Sequence, residues 1–336
     1  MTKLPALILT VDVEEDNAWL RDGARQTKNA AYIGRFHELC LRYGFRPTYL
    51  TTSLMAESPI YAEFARGVAQ RNEGEIGLHI HAWNTPPIKP LTRNDDIYLP
   101  YLHDFSEDLI SDKLDYVIEA IRTNIGVTPV SYRGGRWGLD GRTARILASK
   151  GITADCSITP HVNWDRHDRD PDAQSAKGLY YFNAPEQPYF LSEEDVTKPG
   201  NLPILELPFT TVPPKNAIGK WLRQRVIGNA LIARLCLLAD PPRSMRLIDG
   251  NEQDLKDSLN YVLQSNLPYA QFMIHSSEFM PGGSPYTPDE ESVDKLFAGI
   301  ERLFVSAGNN FVGQTVGEYR NDYVAALEKK TFKEAS

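Results

Sequence analysis

The 336-residue chain has little cysteine and no long hydrophobic run. Its three cysteines, Cys40, Cys156 and Cys236, lie far apart in apolar surroundings. This favours small core residues in a reducing compartment over a disulfide framework or a thiolate metal site. The most apolar helix candidate, 227–239, carries Arg234 in its middle, and no window approaches the roughly 20 apolar residues that a membrane helix requires. We therefore expect no transmembrane segment.

Basic clusters and an export signal are also missing from the sequence. Lysines and arginines are scattered and the formal net charge is -8, so nucleic acid is not expected as a partner. The amino terminus runs from one lysine through a short apolar stretch directly into acids, with no small-residue cleavage site. A cytoplasmic location is the expectation. The hydrophobic content of 42% is high enough for a large folded core.

Short apolar strands alternate with helices along most of the chain, a pattern typical of parallel βα units. The count of six to eight strands matches a single closed barrel of this length. We predict the α/β class, as a deformed (β/α) barrel with about seven parallel strands. The predicted strands are 4–13, 46–52, 75–81, 128–133, 152–157, 203–210, 270–275 and 311–316, and the predicted helices are 30–43, 59–72, 107–125, 140–150, 216–238, 251–265 and 288–307.

One stretch breaks this alternation. Residues 160–215 are rich in proline, aspartate, asparagine and aromatic residues, and contain one apolar strand. We interpret them as a long loop and strand excursion from the barrel. Residues 1–336 are accordingly predicted to form a single domain.

The first predicted strand ends in two acids that can perform chemistry. Active sites of parallel barrels lie at the carboxyl ends of the strands, where loops vary freely. Asp12 and Glu14 lie on the same side of an extended chain, so one can bind a metal ion while the other takes a proton from water. A solvated acidic turn is an equal alternative for this motif alone.

His79 and His81 end another predicted strand. Two imidazoles two residues apart on extended backbone face the same way, and imidazole suits zinc, iron, nickel or cobalt. A lone histidine is more often a hydrogen-bonded structural residue, but a pair at the end of a buried strand favours a metal site.

Two further strand ends carry a possible anion clamp and a possible acid. Arg133 and Arg136 flank paired glycines, which indicates backbone close to a ligand and a guanidinium that can orient a carboxylate. A structural salt bridge is an equal alternative. His275 closes an apolar strand and can protonate a departing amine, although alone it could be structural.

Taken in order, the segments TVDVEED, EIGLHIHAW, YRGGRW, ADCSITPHVNW and FMIHSSEF resemble the motifs of the NodB-homology polysaccharide deacetylases, also called carbohydrate esterase family 4. The resemblance spans about residues 6–317. It implies that Asp12 is the general base, that Glu14 and His79 are metal ligands, and that His275 is the general acid.

The resemblance assigns two more residues. It implies that Arg133 orients the base, and that Asp155 tunes His275 or belongs to the substrate wall. It also implies attack by metal-activated water on an amide carbonyl, followed by protonation of the leaving nitrogen.

The chain departs from the family pattern at two ligands. The family motif has a second histidine four residues after the first, where this chain has Trp83. We predict that His81 replaces it through an extended backbone, and a weak site with one histidine is the alternative. Glu14 stands where the family has aspartate, so Glu15 or Asp16 could fill that role instead.

The predicted function is removal of an N-acyl group, in particular N-acetyl, from a small or lipid-linked saccharide. The cofactor is a divalent metal, with zinc expected first and cobalt, nickel or iron as alternatives. An amide or imide hydrolase acting on a small non-sugar substrate, and an inactive carbohydrate-binding relative, remain open. The predicted substrate-binding residues are Trp83, Arg136, Trp137, Asp155, His161, Trp164 and Glu278.

Overall fold

A curled sheet of mostly parallel strands organises the chain. The computed structural model describes residues 4–16, 25–164, 179–215, 219–221, 243–248 and 251–334. Within these ranges the strands are β1 (Ala6–Val13), β2 (Thr48–Thr51), β3 (Glu75–Ile80), β4 (Ser131–Gly134), β5 (Ala154–Asp155), β6 (Tyr189–Phe190), β7 (Leu205–Glu206), β8 (Thr211–Val212), β9 (Arg243–Ser244), β10 (Tyr269–His275) and β11 (Val312–Gly313).

Helices surround this sheet. Within the described ranges they are α1 (Ile33–Arg42), α2 (Ser53–Glu57), α3 (Pro59–Gln70), α4 (Asp95–Tyr98), α5 (Glu107–Ile125), α6 (Gly141–Ser149), α7 (Glu252–Gln264), α8 (Glu290–Ala307) and α9 (Val316–Glu334). The helix predicted at 107–125 is found with the predicted bounds. Ser106 caps the start of α5 by accepting a hydrogen bond from the Leu109 N–H, and Gly126 ends it in the left-handed conformation at φ 87°.

The main sheet has the order β10-β1-β2-β3-β4-β5-β7-β6, with β11 also beside β1. All eight residues of β1 are buried, as expected for a parallel strand covered on both faces. Among the described residues, the pairings in this sheet are parallel except that of β6 with β7. Eight of its nine strands therefore run parallel, where about seven were predicted, and the predicted α/β barrel class is confirmed.

Irregular chain lies beside β10. The Met245 N–H donates to the Thr210 carbonyl at 3.1 Å, and the Met273 N–H donates to the Met245 carbonyl at 3.0 Å. A separate two-stranded antiparallel sheet of β8 and β9 lies in this region. Met245 and Arg246 thus pair with β10 without forming a strand of the main sheet.

Several strands are shorter than the apolar pattern predicts. Only Ala154 and Asp155 pair within the predicted strand 152–157, although Ile152, Cys156 and Ile158 are all buried. Burial dictates the apolar pattern, and the pattern cannot distinguish a paired strand from buried irregular chain.

The helix predicted at 216–238 lies almost entirely outside the described residues, as does Cys236. The final helix α9 was not predicted. The single-domain division stays a prediction. Among the helices of the described ranges, none combines the length and the apolar character that crossing a membrane requires.

Candidate active site

Asp12 and Glu14 lie at the carboxyl end of β1, next to the end of β10. The parallel register places Asp12 opposite His275. Beyond the strand, the Ser276 hydroxyl accepts a hydrogen bond from the Glu14 N–H at 3.1 Å and donates to the Glu14 carbonyl at 3.2 Å. This pair of bonds fixes the backbone of Glu14 where the strand ends.

Glu14, His79 and His81 meet in a buried cluster. His79 Nε2 lies 3.1 Å from Glu14 Oε1, and His81 Nε2 lies 3.3 Å from the same oxygen. The two Nε2 atoms are 3.2 Å apart. The cluster can hold a metal ion, because its potential ligand atoms all lie within 4.8 Å of one another. The predicted alternation of β3 therefore turns both imidazoles to the same side.

The protonation of this cluster suits a divalent cation. His79 Nδ1 lies 2.8 Å from the Arg133 carbonyl oxygen, and only an N–H can donate to a carbonyl, so the lone pair of the neutral ring is on Nε2. Burial alone would raise the pKa of Glu14, but His81, His79 and His275 lower it well below its ordinary value. A charged carboxylate and two imidazoles form a ligand set that fits zinc or a similar ion.

Arg133 forms a buried ion pair with Asp12. Its Nη1 atom donates to Asp12 Oδ1 at 2.7 Å, and its Nε atom donates to the Cys156 carbonyl at 3.0 Å. Burial alone would lower the pKa of Arg133, but the charge of Asp12 raises it. The arginine is thus held in place by fixed acceptors and holds the carboxylate in turn.

The paired glycines after β4 make room for protein atoms. A Cβ atom on Gly135 would lie 2.6 Å from His81 Nδ1, and a Cβ atom on Gly134 would lie 2.1 Å from the Gly138 carbonyl oxygen. The sequence predicts that these glycines bring backbone close to a ligand. In the structure the close neighbours are the imidazole of His81 and the next turn of the loop.

Arg136 and Trp137 follow in the left-handed region, with φ of 54° and 62°. Such conformations are uncommon for large side chains and occur preferentially near functional sites. The Arg136 guanidinium lies 4.6 Å from the centre of the Trp83 ring. The Trp83 ring in turn lies 4.5 Å from the His81 ring. Trp83, at the place of the family's second histidine, therefore packs on His81, and the replacement of that histidine by His81 stays a prediction.

The remaining aromatic residues and His161 lie further along the loops. Trp137 and Trp164 stack with ring centres 6.3 Å apart, and the Trp164 indole N–H donates to Thr159 at 2.7 Å. His161 Nε2 lies 3.0 Å from Glu186 Oε1. Contact of these residues with substrate stays a prediction.

Asp155 is not in contact with His275 among the described interactions. It lies opposite Glu206 in the pairing of β5 and β7, and its carboxylate accepts from Ser157 N–H at 3.0 Å and Ser157 Oγ at 2.7 Å. Burial, followed by the charge of Asp155, raises the pKa of Glu206 well above its ordinary value. Burial also raises the pKa of Asp155. Burial and the neighbouring Asp155 therefore favour the protonated form of Glu206, a pairing that the sequence pattern did not indicate.

Glu278 instead is the carboxylate beside His275. Its Oε1 atom lies 2.9 Å from His275 Nδ1, and His275 Nε2 lies 3.9 Å from Glu14 Oε1. Arg246, which the sequence analysis did not single out, lies 3.4 Å from Glu278 Oε1. No motif surrounds Arg246, so its role could emerge only from the fold.

Glu15 and Asp16 make other contacts. Arg25 Nη1 lies 3.2 Å from Glu15 Oε1. Asp16 accepts hydrogen bonds from the N–H groups of Lys28 and Asn29, both at 2.9 Å. Among these acids of the first motif, Glu14 is therefore the one that joins the two histidines.

No family model and no curated protein matches the chain. Solved structures do match. A candidate polysaccharide deacetylase from Mycobacterium smegmatis is 15% identical with a TM-score of 0.54, and the match covers 98% of this chain and 93% of that protein. The chain has the fold of a polysaccharide deacetylase. The amino-terminal to carboxyl-terminal order of its motifs agrees with this fold.

A second match shows why the fold alone does not settle the chemistry. The 4-alpha-glucanotransferase from Thermococcus litoralis is 11% identical with a TM-score of 0.51, and the match covers 95% of this chain and 40% of that enzyme. Because the fold carries different reactions, the function of this polysaccharide deacetylase fold must be argued from its side chains.

Proposed function

We propose that the chain is a metal-dependent hydrolase that removes an N-acyl group, in particular N-acetyl, from a saccharide. The observation that carries this proposal is the buried cluster of Glu14, His79 and His81, with the Asp12–Arg133 pair and His275 beside it. A divalent ion bound by this cluster would supply a Lewis acid that polarises the acyl carbonyl and lowers the pKa of a water molecule.

The side chains around the cluster supply the proton transfers. Asp12, oriented by Arg133, accepts the proton of the attacking water. His275, when its ring carries hydrogens on both Nδ1 and Nε2, donates the Nε2 proton to the leaving nitrogen as the carbon–nitrogen bond breaks, and the ring becomes neutral with its hydrogen on Nδ1. The acid and the base thus approach the reacting carbonyl from two neighbouring strands, β10 and β1.

The saccharide is supported by the aromatic residues of the loops. Trp83 and Trp137 are half-buried, and flat rings with partly exposed faces suit the apolar faces of sugars. A small or lipid-linked saccharide, a cytoplasmic location and zinc as the ion are parts of the proposal that follow from the sequence arguments.

The test combines metal analysis with hydrolysis. Protein purified without chelator is analysed for bound divalent metal and assayed for acetate release from N-acetylglucosamine oligosaccharides. Asp12→Asn should lower kcat roughly 10²- to 10⁴-fold, the usual contribution of a general base, with unchanged metal content. Asp112→Asn, on the exposed side of α5, is the matched control and should leave both measurements unchanged.

Two outcomes would replace the proposal. Hydrolysis of small formamides or ureides, with none of N-acetyl saccharides, would indicate the amide or imide hydrolase. Saccharide binding without any hydrolysis by metal-loaded protein would indicate an inactive relative.

A further inference from the structure

Glu278 is completely buried. It lies beside His275, which precedes it by three residues in the chain. The short 3-10 helix Ser276–Phe279 follows β10 directly, and its tight turn brings residue 278 back to residue 275. Glu278 Oε1 accepts a hydrogen bond from the His275 backbone N–H at 3.1 Å and lies 2.9 Å from His275 Nδ1. One carboxylate oxygen therefore contacts both the backbone and the ring of His275.

Arg246 completes the arrangement from another segment. Its Nη2 atom lies 3.4 Å from Glu278 Oε1 and 3.3 Å from His275 Nδ1, and its guanidinium lies 5.4 Å from the centre of the Tyr286 ring. Burial alone would raise the pKa of Glu278, but His275 and Arg246 lower it. The carboxylate is therefore ionised.

The hydrogen bonds decide which ring nitrogen carries a hydrogen. An ionised carboxylate can only accept a hydrogen bond, and a guanidinium can only donate one. Nδ1 therefore bonds to Glu278 if it carries a hydrogen and to Arg246 if it does not. The contact with Glu278 is the shorter of the two. Nδ1 of His275 therefore carries the hydrogen and Nε2 faces Glu14.

We propose that Glu278 is the positioning residue for His275, holding Nδ1–H so that Nε2 points at the cluster of Glu14, His79 and His81. The catalytic consequence rests on the proposed function. In this proposal Glu278 has the role towards His275 that the resemblance implied for Asp155. This role also replaces the prediction that Glu278 binds substrate, because none of that side chain is exposed.

The first test is spectroscopic and needs no substrate. Zinc-loaded protein labelled with ¹⁵N in histidine is examined by NMR, with His275 assigned by its loss in His275→Gln. Wild type should show the hydrogen on Nδ1, and Glu278→Gln should change the His275 signals. The control is Glu73→Gln, which removes another histidine–carboxylate contact, 3.3 Å from His37, and should leave those signals unchanged. A hydrogen on Nε2 alone in wild type would overturn the proposal.

The second test is kinetic. Glu278→Gln should lower kcat roughly 10- to 100-fold, the usual effect of removing a partner that orients an active-site histidine, with unchanged KM and metal content. Glu73→Gln should retain the kcat of wild type. A Glu278→Gln variant with wild-type kcat would overturn the proposal. If wild type hydrolyses no N-acyl saccharide, the proposed function fails, and the NMR result still decides the position of His275.

Discussion

Arg133 Nη1 lies 2.7 Å from Asp12 Oδ1, although the two residues are 121 positions apart. Asp12 is on β1 and Arg133 is on β4, with β2 and β3 between them in the sheet. A direct contact between strands that are not neighbours requires the sheet to curl. The fold therefore brings the proposed base and its orienting residue together across the inside of the barrel.

Removal of Arg133 should destabilise the protein strongly. Arg133→Met leaves the buried carboxylate of Asp12 without its ion-pair partner, and breaking one side of a buried pair costs about 3–5 kcal/mol. The free energy of unfolding, measured with urea, checks this. The control is Arg145→Met, which removes exposed pairs with Glu107 and Glu193 and should leave the unfolding midpoint unchanged. Equal midpoints for the two variants would contradict the prediction.

Loss of either histidine of the cluster should reduce metal binding. Loss of a residue that hydrogen-bonds to a metal ligand weakens metal affinity roughly 10- to 100-fold. His79→Gln and His81→Gln should each weaken zinc affinity by more than this, because each removes a ligand itself. Calorimetric titration of chelator-treated protein with zinc measures this. His37→Gln, a buried histidine bonded to Tyr49, is the control. Unchanged affinity in His81→Gln would support the site with one histidine ligand.

A methyl group on Gly135 should disturb the site locally. The new Cβ atom of Gly135→Ala would lie 2.5 Å from the Ile80 carbonyl oxygen and 2.6 Å from His81 Nδ1, and such overpacking costs about 1–3 kcal/mol. Zinc affinity should fall as well, because His81 must move. Gly34→Ala, on α1 with no atom within 4 Å of the new Cβ, should instead be neutral or stabilising by up to about 1 kcal/mol. Urea unfolding and zinc titration of both variants provide the comparison.

The Asp155–Glu206 pair should make stability fall as pH rises. The pKa of Glu206 is raised in the folded state above its ordinary value of 4.5. Its contribution is therefore fully present below pH 4.5 and is lost as pH rises through that value towards the folded pKa. Glu206→Gln keeps a hydrogen-bond donor without an ionisable group. The free energy of unfolding of this variant should therefore fall less between acidic and neutral pH than that of wild type.

Unfolding midpoints at several pH values test this dependence. Glu119→Gln, which changes an exposed acid on α5, should follow the wild-type curve. A Glu206→Gln curve parallel to that of wild type would show that the pKa of Glu206 is not raised in the folded protein.

Much of the fold follows from local patterns in the sequence. The helix 107–125 was predicted with its correct bounds, and in the structure Ser106 caps its start and Gly126 ends it. The strands β1, β3 and β10, whose ends carry the site residues, were predicted from apolar runs. The bounds of β5 were wrong, since buried irregular chain has the same composition as a buried strand. The roles assigned to the site residues stay predictions.

The sequence by itself determined that His79 and His81 face the same way, because alternation on extended backbone fixes which side chains share a side. That Glu14 joins them was implied by the resemblance. Only the tertiary structure decided which carboxylate approaches His275. That choice depends on the turn after β10, which brings Glu278 to the ring, and on the register of β5 with β7, which pairs Asp155 with Glu206. Contacts between segments distant in the chain leave no periodic pattern, so Arg246 and Glu206 could be recognised only in the folded protein.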